Sequence, residues 1–187
     1  MEINELLSAL HIAEKLKNTT RHSYTSGGRH ESVAEHTFRT ALMAYFMKDE
    51  FSDVDIDKVI KMCLIHDLGE SFTGDIPSFN KTKADEENEK EQLYSWVDEL
   101  PEPFRTEMRE LYEEMEALST AESKLYKALD GLEAVISHNE ASLSTWSENE
   151  YELNLVYAQD KCRFSPYLME LRQALKEESE KKIQGLL

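Results

Sequence analysis

Along nearly the whole chain, apolar positions recur at three- and four-residue spacing, the period of one face of an α-helix. Ile3, Leu6, Leu7, Leu10 and Leu16 form the first stripe and predict a helix to about residue 17. The stretch "NTTRHSYTSGGRHE" has no apolar period and carries a Gly-Gly pair, so it reads as a loop. Long polar loops in helical domains are often functional. Ser32 and Glu35 have capping-box spacing and start a second helix, which "FRTALMAYFM" continues to about residue 50. "DVDID" caps a third helix that buries Val59, Ile60, Cys63 and Leu64. "GESFTGDIPSFNKT", with two glycines and a proline, predicts another loop. "KADEENEKEQLYSWVDEL" predicts a helix with a solvated acidic start, and Pro101 and Pro103 stop it. "EMRELYEEMEAL" and "STAESKLYKALDGLEAVISHNE" give two more helices, the second with Ser119 and Glu122 as its capping box. Two final helices span about 149–162 and 166–183, and Ser165-Pro166 supplies the N-cap and first position of the last. The pattern predicts an all-α fold of seven or eight helices in one domain over 1–187, without repeat or linker.

Composition narrows the class. Of 187 residues, 40% are hydrophobic and 32% charged, as in ordinary globular proteins. Six glycines and four prolines are too few for a turn-dense β fold. The net charge of −17 repels a phosphate polymer, so nucleic acid is excluded as a main partner. A small phosphate ligand survives that argument, because local Arg or Lys and a bound cation can reverse the sign inside a cleft. Cys63 and Cys162 are far apart, which argues against a zinc ribbon and a disulfide scaffold. The start "MEINELLSALHIAEKLKN" does not have the pattern of a signal peptide, and no apolar run approaches the roughly 18 residues of a membrane span. A reduced, cytoplasmic protein is expected.

The chemistry concentrates in "MCLIHDLGESFTGD". A buried helix ends there on His66-Asp67, and Glu70 and Asp75 follow. Adjacent helical side chains point about 100° apart, so His66 and Asp67 meet one ion only if it lies between them or the helix end distorts. None of the six histidines has Glu three residues before it, and "HESVA" is not H-E-x-x-H, which disfavours two common helical metal classes. His36, just inside the second helix, is a second imidazole in an apolar neighbourhood. These residues alone permit two readings: a polar helix terminus, or half of a metal site.

"ESVAEH" followed about thirty residues later by "HDLGESFTGDIP" resembles the HD-domain metal-dependent phosphohydrolases, above all their small single-domain 5'-nucleotidase branch, typified by bacterial 5'-deoxynucleotidases. The resemblance covers about residues 6–140 and implies an HD-type helical bundle. It implies a metal held by His36, His66, Asp67 and, through "KALDGLEA", Asp130. Without the resemblance, Asp130 sits at the edge of the stripe Leu125, Leu129, Leu132 and Ile136 and reads as solvent-facing. Two His and two Asp suit one divalent ion of Mn, Co, Fe, Ni or Zn. His11, His22, His30 and His138 match no second-metal motif of the family, so one ion is expected. The resemblance also implies Glu70 as catalytic carboxylate, Arg21 as phosphate contact and Asp75 as a contact near the sugar hydroxyl, with Arg29 as a possible assistant. In the bacterial deoxynucleotidases a Trp follows that Arg and helps to favour deoxyribose. Here His22 follows it, which leaves room for ribose.

The implied activity is phosphate release from nucleoside 5'-monophosphates, and the implied partners are a small nucleotide and a second copy of the chain. Two alternatives stand beside it. One is an HD hydrolase of a nucleoside triphosphate or an alarmone. The other is a non-catalytic metal- or nucleotide-sensing helical protein, which would need neither Glu70 nor Arg21.

Overall fold

The computed structural model describes residues 1–186, and Leu187 lies outside the described residues. The helices are α1 (Ile3–Lys15), α2 (Val33–Phe46), α3 (Ile56–Ile65), α4 (Glu70–Thr73), α5 (Lys83–Asp98), α6 (Phe104–Ala117), α7 (Ala121–Glu140), α8 (Glu150–Val156), α9 (Gln159–Cys162) and α10 (Pro166–Ile183). An antiparallel hairpin, β1 (Thr20–Tyr24) and β2 (His30–Ser32), lies between α1 and α2. The all-α expectation holds: eight of the helices exceed one turn, and the hairpin is the one sheet among the described residues.

The organising element is α7. It packs against α2, α3, α6, α9, α10 and β1. Leu125, Leu129, Leu132 and Val135 recur at three- and four-residue spacing along it and are wholly buried. A Cβ at residue 131 would lie 2.6 Å from the Ala158 Cβ, so Gly131 is what lets the α8–α9 corner approach α7. One buried cluster joins Leu16 on the first loop to Leu175 on α10.

The hairpin occupies the stretch expected to be a loop. Its inward residues are polar, which hides the strand period. Ser23, 2% exposed, hydrogen-bonds to Glu31, 5% exposed, across the two strands. Gly28 turns the chain in the left-handed region at φ 82°. The expected second loop contains the single turn α4, which Gly74 ends at φ 80°.

Other boundaries shift. Helix α2 stops at Phe46, before a short 3-10 turn at Lys48–Glu50. The core face of α3 is Val59, Met62 and Cys63, with Ile60 half-buried and Leu64 exposed. Helix α6 begins at Phe104, three residues early. The N-cap of α7 is Thr120, whose hydroxyl accepts from the Ser123 amide, not Ser119 with Glu122. Glu122 instead accepts from the Asp55 amide. The segment 149–162 breaks at Ala158, which is left-handed at φ 62°. The stripe of α1 is the largest departure: Ile3, Leu6, Leu7 and Leu10 are all exposed, and only Leu16 enters the core. No helix among the described residues is long and apolar enough to cross a membrane.

Candidate metal and substrate site

His36 sits on the first turn of α2. Ser32 and Glu35 cap that helix reciprocally, as their spacing predicts, and so fix where His36 points. Its ring is fully buried, and Nδ1 hydrogen-bonds to the Glu133 carboxylate on α7. Glu133 accepts, so Nδ1 carries the proton and Nε2 keeps its lone pair. His66 caps the C-terminus of α3, and its Nδ1 lies 2.7 Å from the Cys63 carbonyl. A carbonyl only accepts, so Nε2 of His66 is also the free lone pair.

The chain then stays coiled through tight turns, with the Leu68 amide on the Ile65 carbonyl and the Glu70 amide on the Asp67 carbonyl. This tightened helix end brings His66 and Asp67 together despite their adjacency. Asp67 Oδ2 is 3.1 Å from His66 Nε2 and 3.6 Å from His36 Nε2. Asp130, from α7, places Oδ1 3.3 Å from His36 Nε2. The two Nε2 atoms are 3.2 Å apart.

Two imidazole lone pairs facing each other at this distance, beside two carboxylates, repel unless a positive charge lies among them. The electrostatics agree. Burial and the Arg21 charge oppose protonation of His36, yet contacts with Asp130 and Glu133 push it up to about 9. Asp67 is held low against its burial by His66 and His36, and Asp130 by Lys127 and the same imidazoles. The cluster favours positive charge at its centre, and its donors are those of a divalent transition-metal site. Asp130 thus points to this centre and not to solvent.

A cavity of about 250 Å³ opens beside the cluster, and Arg21, His22, Glu70 and Asp75 line it with Asp67 and Asp130. Glu70 is 6% exposed, and its Oε2 has no hydrogen-bond partner among the described residues. Burial, then the charges of Asp67 and Asp75, push its carboxyl well above the usual range. Arg21 comes from β1. Its Nη1 is 3.8 Å from Asp67 and its Nε 3.3 Å from Glu31, and Nε makes no hydrogen bond among the described residues. Burial raises the Asp75 carboxyl, with Arg21 opposing. Six of the eight expected site residues therefore line one cavity, and His36 and His66 lie behind its wall in contact with Asp67 and Asp130. Arg29 does not join them: it pairs with Glu35 at the exposed start of α2.

Several participants escaped the sequence reading. Glu133 holds His36 and is itself held by Arg39, whose Nε is 2.6 Å away. Lys127 lies 2.9 Å from Asp130. Both stand three residues from Asp130, so helical spacing alone could have flagged them once Asp130 was chosen. His138 and Glu150 also line the cavity, with the His22 Nε2 2.9 Å from Glu150. Chain distance hides that grouping.

The HD domain family model matches residues 13–172. The chain belongs to the HD domain family. The match takes in every cavity residue named above and leaves out most of α1. The human 5'-deoxynucleotidase HDDC2 is 35% identical over 139 residues, covering 72% of this HD chain and 67% of the relative. The Dictyostelium discoideum 5'-deoxynucleotidase HDDC2 is 28% identical over 173 residues, covering 87% and 91%. The crystal structure of a protein from Magnetospirillum magnetotacticum, described as a predicted metal-dependent phosphohydrolase, superimposes with a TM-score of 0.80 at 26% identity, covering 99% of this chain and 97% of that one.

Proposed function

We propose that this HD-family chain is a metal-dependent phosphohydrolase that releases phosphate from nucleoside 5'-monophosphates, deoxyribonucleotides among them. One observation carries the reading: Asp67 and Asp130 of the four-donor cluster, the Glu70 carboxyl, with an oxygen unpartnered among the described residues, and Arg21 line one cavity. The deoxynucleotidase names of the relatives point the same way.

His36, His66, Asp67 and Asp130 hold the ion in this account. A divalent ion there supplies Lewis-acid polarisation of a phosphoryl oxygen and offsets local negative charge. The remaining work belongs to side chains. Arg21 presents a planar fork to two phosphate oxygens. Glu70, whose carboxyl pKa is pushed up by burial and neighbouring carboxylates, can in its ionised form take a proton from the attacking water and pass it to the leaving alkoxide. Asp75 and His22 line the same cavity, and in this account they meet the sugar. Glu133 orients His36 and raises its basicity, as carboxylates behind metal-binding imidazoles do. Glu133→Gln should therefore weaken metal affinity by about 10–100-fold, measured by competition with a chromophoric chelator.

The cavity volume favours a monophosphate. About 250 Å³ is below the roughly 300 Å³ at which ligand pockets usually begin, which suits a compact substrate better than a triphosphate or alarmone. The sensing alternative leaves Glu70 and Arg21 without employment. The test is phosphate release from nucleoside 5'-mono-, 5'-tri- and 3'-monophosphates, each as ribo and deoxy forms. The 5'-monophosphates are expected to turn over fastest, and His22→Trp to shift the ratio toward deoxyribose. Preferred triphosphate hydrolysis would sink the reading.

We also place a second copy of the chain against α1, because Ile3, Leu6, Leu7 and Leu10 leave an apolar face exposed. Light scattering should give a dimer, and Leu6→Glu with Leu10→Glu a monomer. A reducing, cytoplasmic setting fits the two free, buried cysteines, and cell fractionation tests it.

A further inference from the structure

The cavity has a second cluster that the first account does not use. His22 on β1, His138 on α7 and Glu150 at the start of α8 bring one ligand atom each within 4.8 Å of the others. Glu150 Oε1 lies 2.9 Å from His22 Nε2 and 2.8 Å from His138 Nε2. We propose that these three side chains form a second divalent-cation site, separate from the HD cluster, that takes a borderline transition ion such as zinc.

The supporting contacts resemble those of a built site. His138 Nδ1 lies 2.9 Å from the Ala134 carbonyl, so it donates there and Nε2 is the lone pair facing inward. His66 is fixed the same way by the Cys63 carbonyl. The other Glu150 oxygen accepts from the Ser147 amide at 2.6 Å and the Ser147 hydroxyl at 2.7 Å, which leaves Oε1 to face the imidazoles. The His138 backbone is anchored by the Trp146 indole, 3.0 Å from its carbonyl. The His22 ring is set between His138 and Phe79, at 5.2 and 5.4 Å. His138 and Glu150 are 8% and 4% exposed, so the donors are largely shielded from bulk water.

Ligand identity and spacing narrow the ion. Two imidazoles and one carboxylate form the three-ligand set of open zinc sites, with a fourth position left for water or a substrate donor. Two nitrogens disfavour magnesium and calcium. Tetrahedral donors about 2.0–2.1 Å from zinc stand roughly 3.3 Å apart, a few tenths of an ångström wider than the present contacts. Since all three residues line the cavity, that fourth position opens into it.

The site is not half of a two-metal pair. Asp130, Ala134 and His138 repeat every four residues on one face of α7, and all three line the cavity. Eight residues of helix advance about 12 Å, whereas paired catalytic ions stand about 3.5–4 Å apart. The second ion therefore sits alone, two helical turns from Asp130.

The bland account is that His138 and His22 share the Glu150 carboxylate with no ion. Metal content separates the two whether or not the chain hydrolyses nucleotides. Metal-stripped full-length protein is loaded with a slight excess of zinc, passed through gel filtration and analysed for metal per chain. The wild type should retain one zinc more than His138→Gln or Glu150→Gln, and Asp67→Ala should keep that same ion. Cobalt in place of zinc should give Asp67→Ala a visible absorption band that His138→Gln lacks. Circular dichroism checks folding, and His22→Gln, on the half-exposed hairpin, serves if His138→Gln does not fold. Equal zinc content in the wild type and the folded His138, Glu150 or His22 variants would overturn the proposal. So would zinc in the wild type that Asp67→Ala abolishes entirely.

Discussion

Glu70→Gln should lower kcat by about 10²–10⁴-fold, the usual contribution of a positioned general acid or base. Glutamine keeps the shape and one acceptor but cannot take the proton. The native carboxyl has an oxygen buried without partner among the described residues, beside Asp67 and Asp75, an unfavourable arrangement for stability alone. A neutral amide relieves that repulsion, so the variant should melt at or above the wild-type temperature. Metal content should be unchanged, because Glu70 is not among the four donors. Steady-state kinetics, calorimetry and metal analysis read the three effects separately. Loss of activity together with loss of metal would make Glu70 a ligand instead of the proton carrier.

Arg21→Ala is the second large effect. The guanidinium is buried against Asp67 and Glu31, and its Nε has no hydrogen bond among the described residues. A bidentate charged contact to phosphate contributes about 1.5–3 kcal/mol per hydrogen bond, so kcat/KM should fall by roughly 100-fold or more. Arg21→Lys should recover only a small part, because an ammonium cannot reproduce the fork. The removal also leaves Asp67 and Glu31 with less compensation, and some loss of thermal stability is expected. Free phosphate as a product inhibitor supplies the check: its inhibition constant should rise in both variants. An unchanged constant would mean that Arg21 serves the fold by neutralising Glu31 and Asp67.

The sequence made the helices legible because their apolar faces repeat at the helical period. Ser32 with Glu35 and Ser165 with Pro166 sit where their spacing predicts. The period failed where buried residues are polar. Ser23 and Glu31 carry the hairpin's inner face, and no apolar alternation marks it. It also failed on α1, whose stripe is real but faces outward. Periodicity says that a face is apolar, not what covers it.

The candidate site divides in the same way. His66, Asp67, Glu70 and Asp75 lie within ten residues, so their grouping was visible locally. Asp130 needed the family resemblance, because nothing in a helix sequence distinguishes an aspartate facing a cavity from one facing water. No motif or period in the sequence marks Glu133, which is wholly buried against His36 and Arg39. His138 and Glu150 meet His22 across more than a hundred residues of chain, and only the packing of β1 and α8 about α7 brings them together.

The most direct measurement is phosphate release from a deoxynucleoside 5'-monophosphate by metal-stripped protein, before and after addition of cobalt or manganese. It is run on the wild type and on Asp67→Ala. The account predicts no turnover before addition, turnover after it in the wild type, and none at any metal concentration in Asp67→Ala. Equal turnover without metal, or full activity in Asp67→Ala, would contradict it.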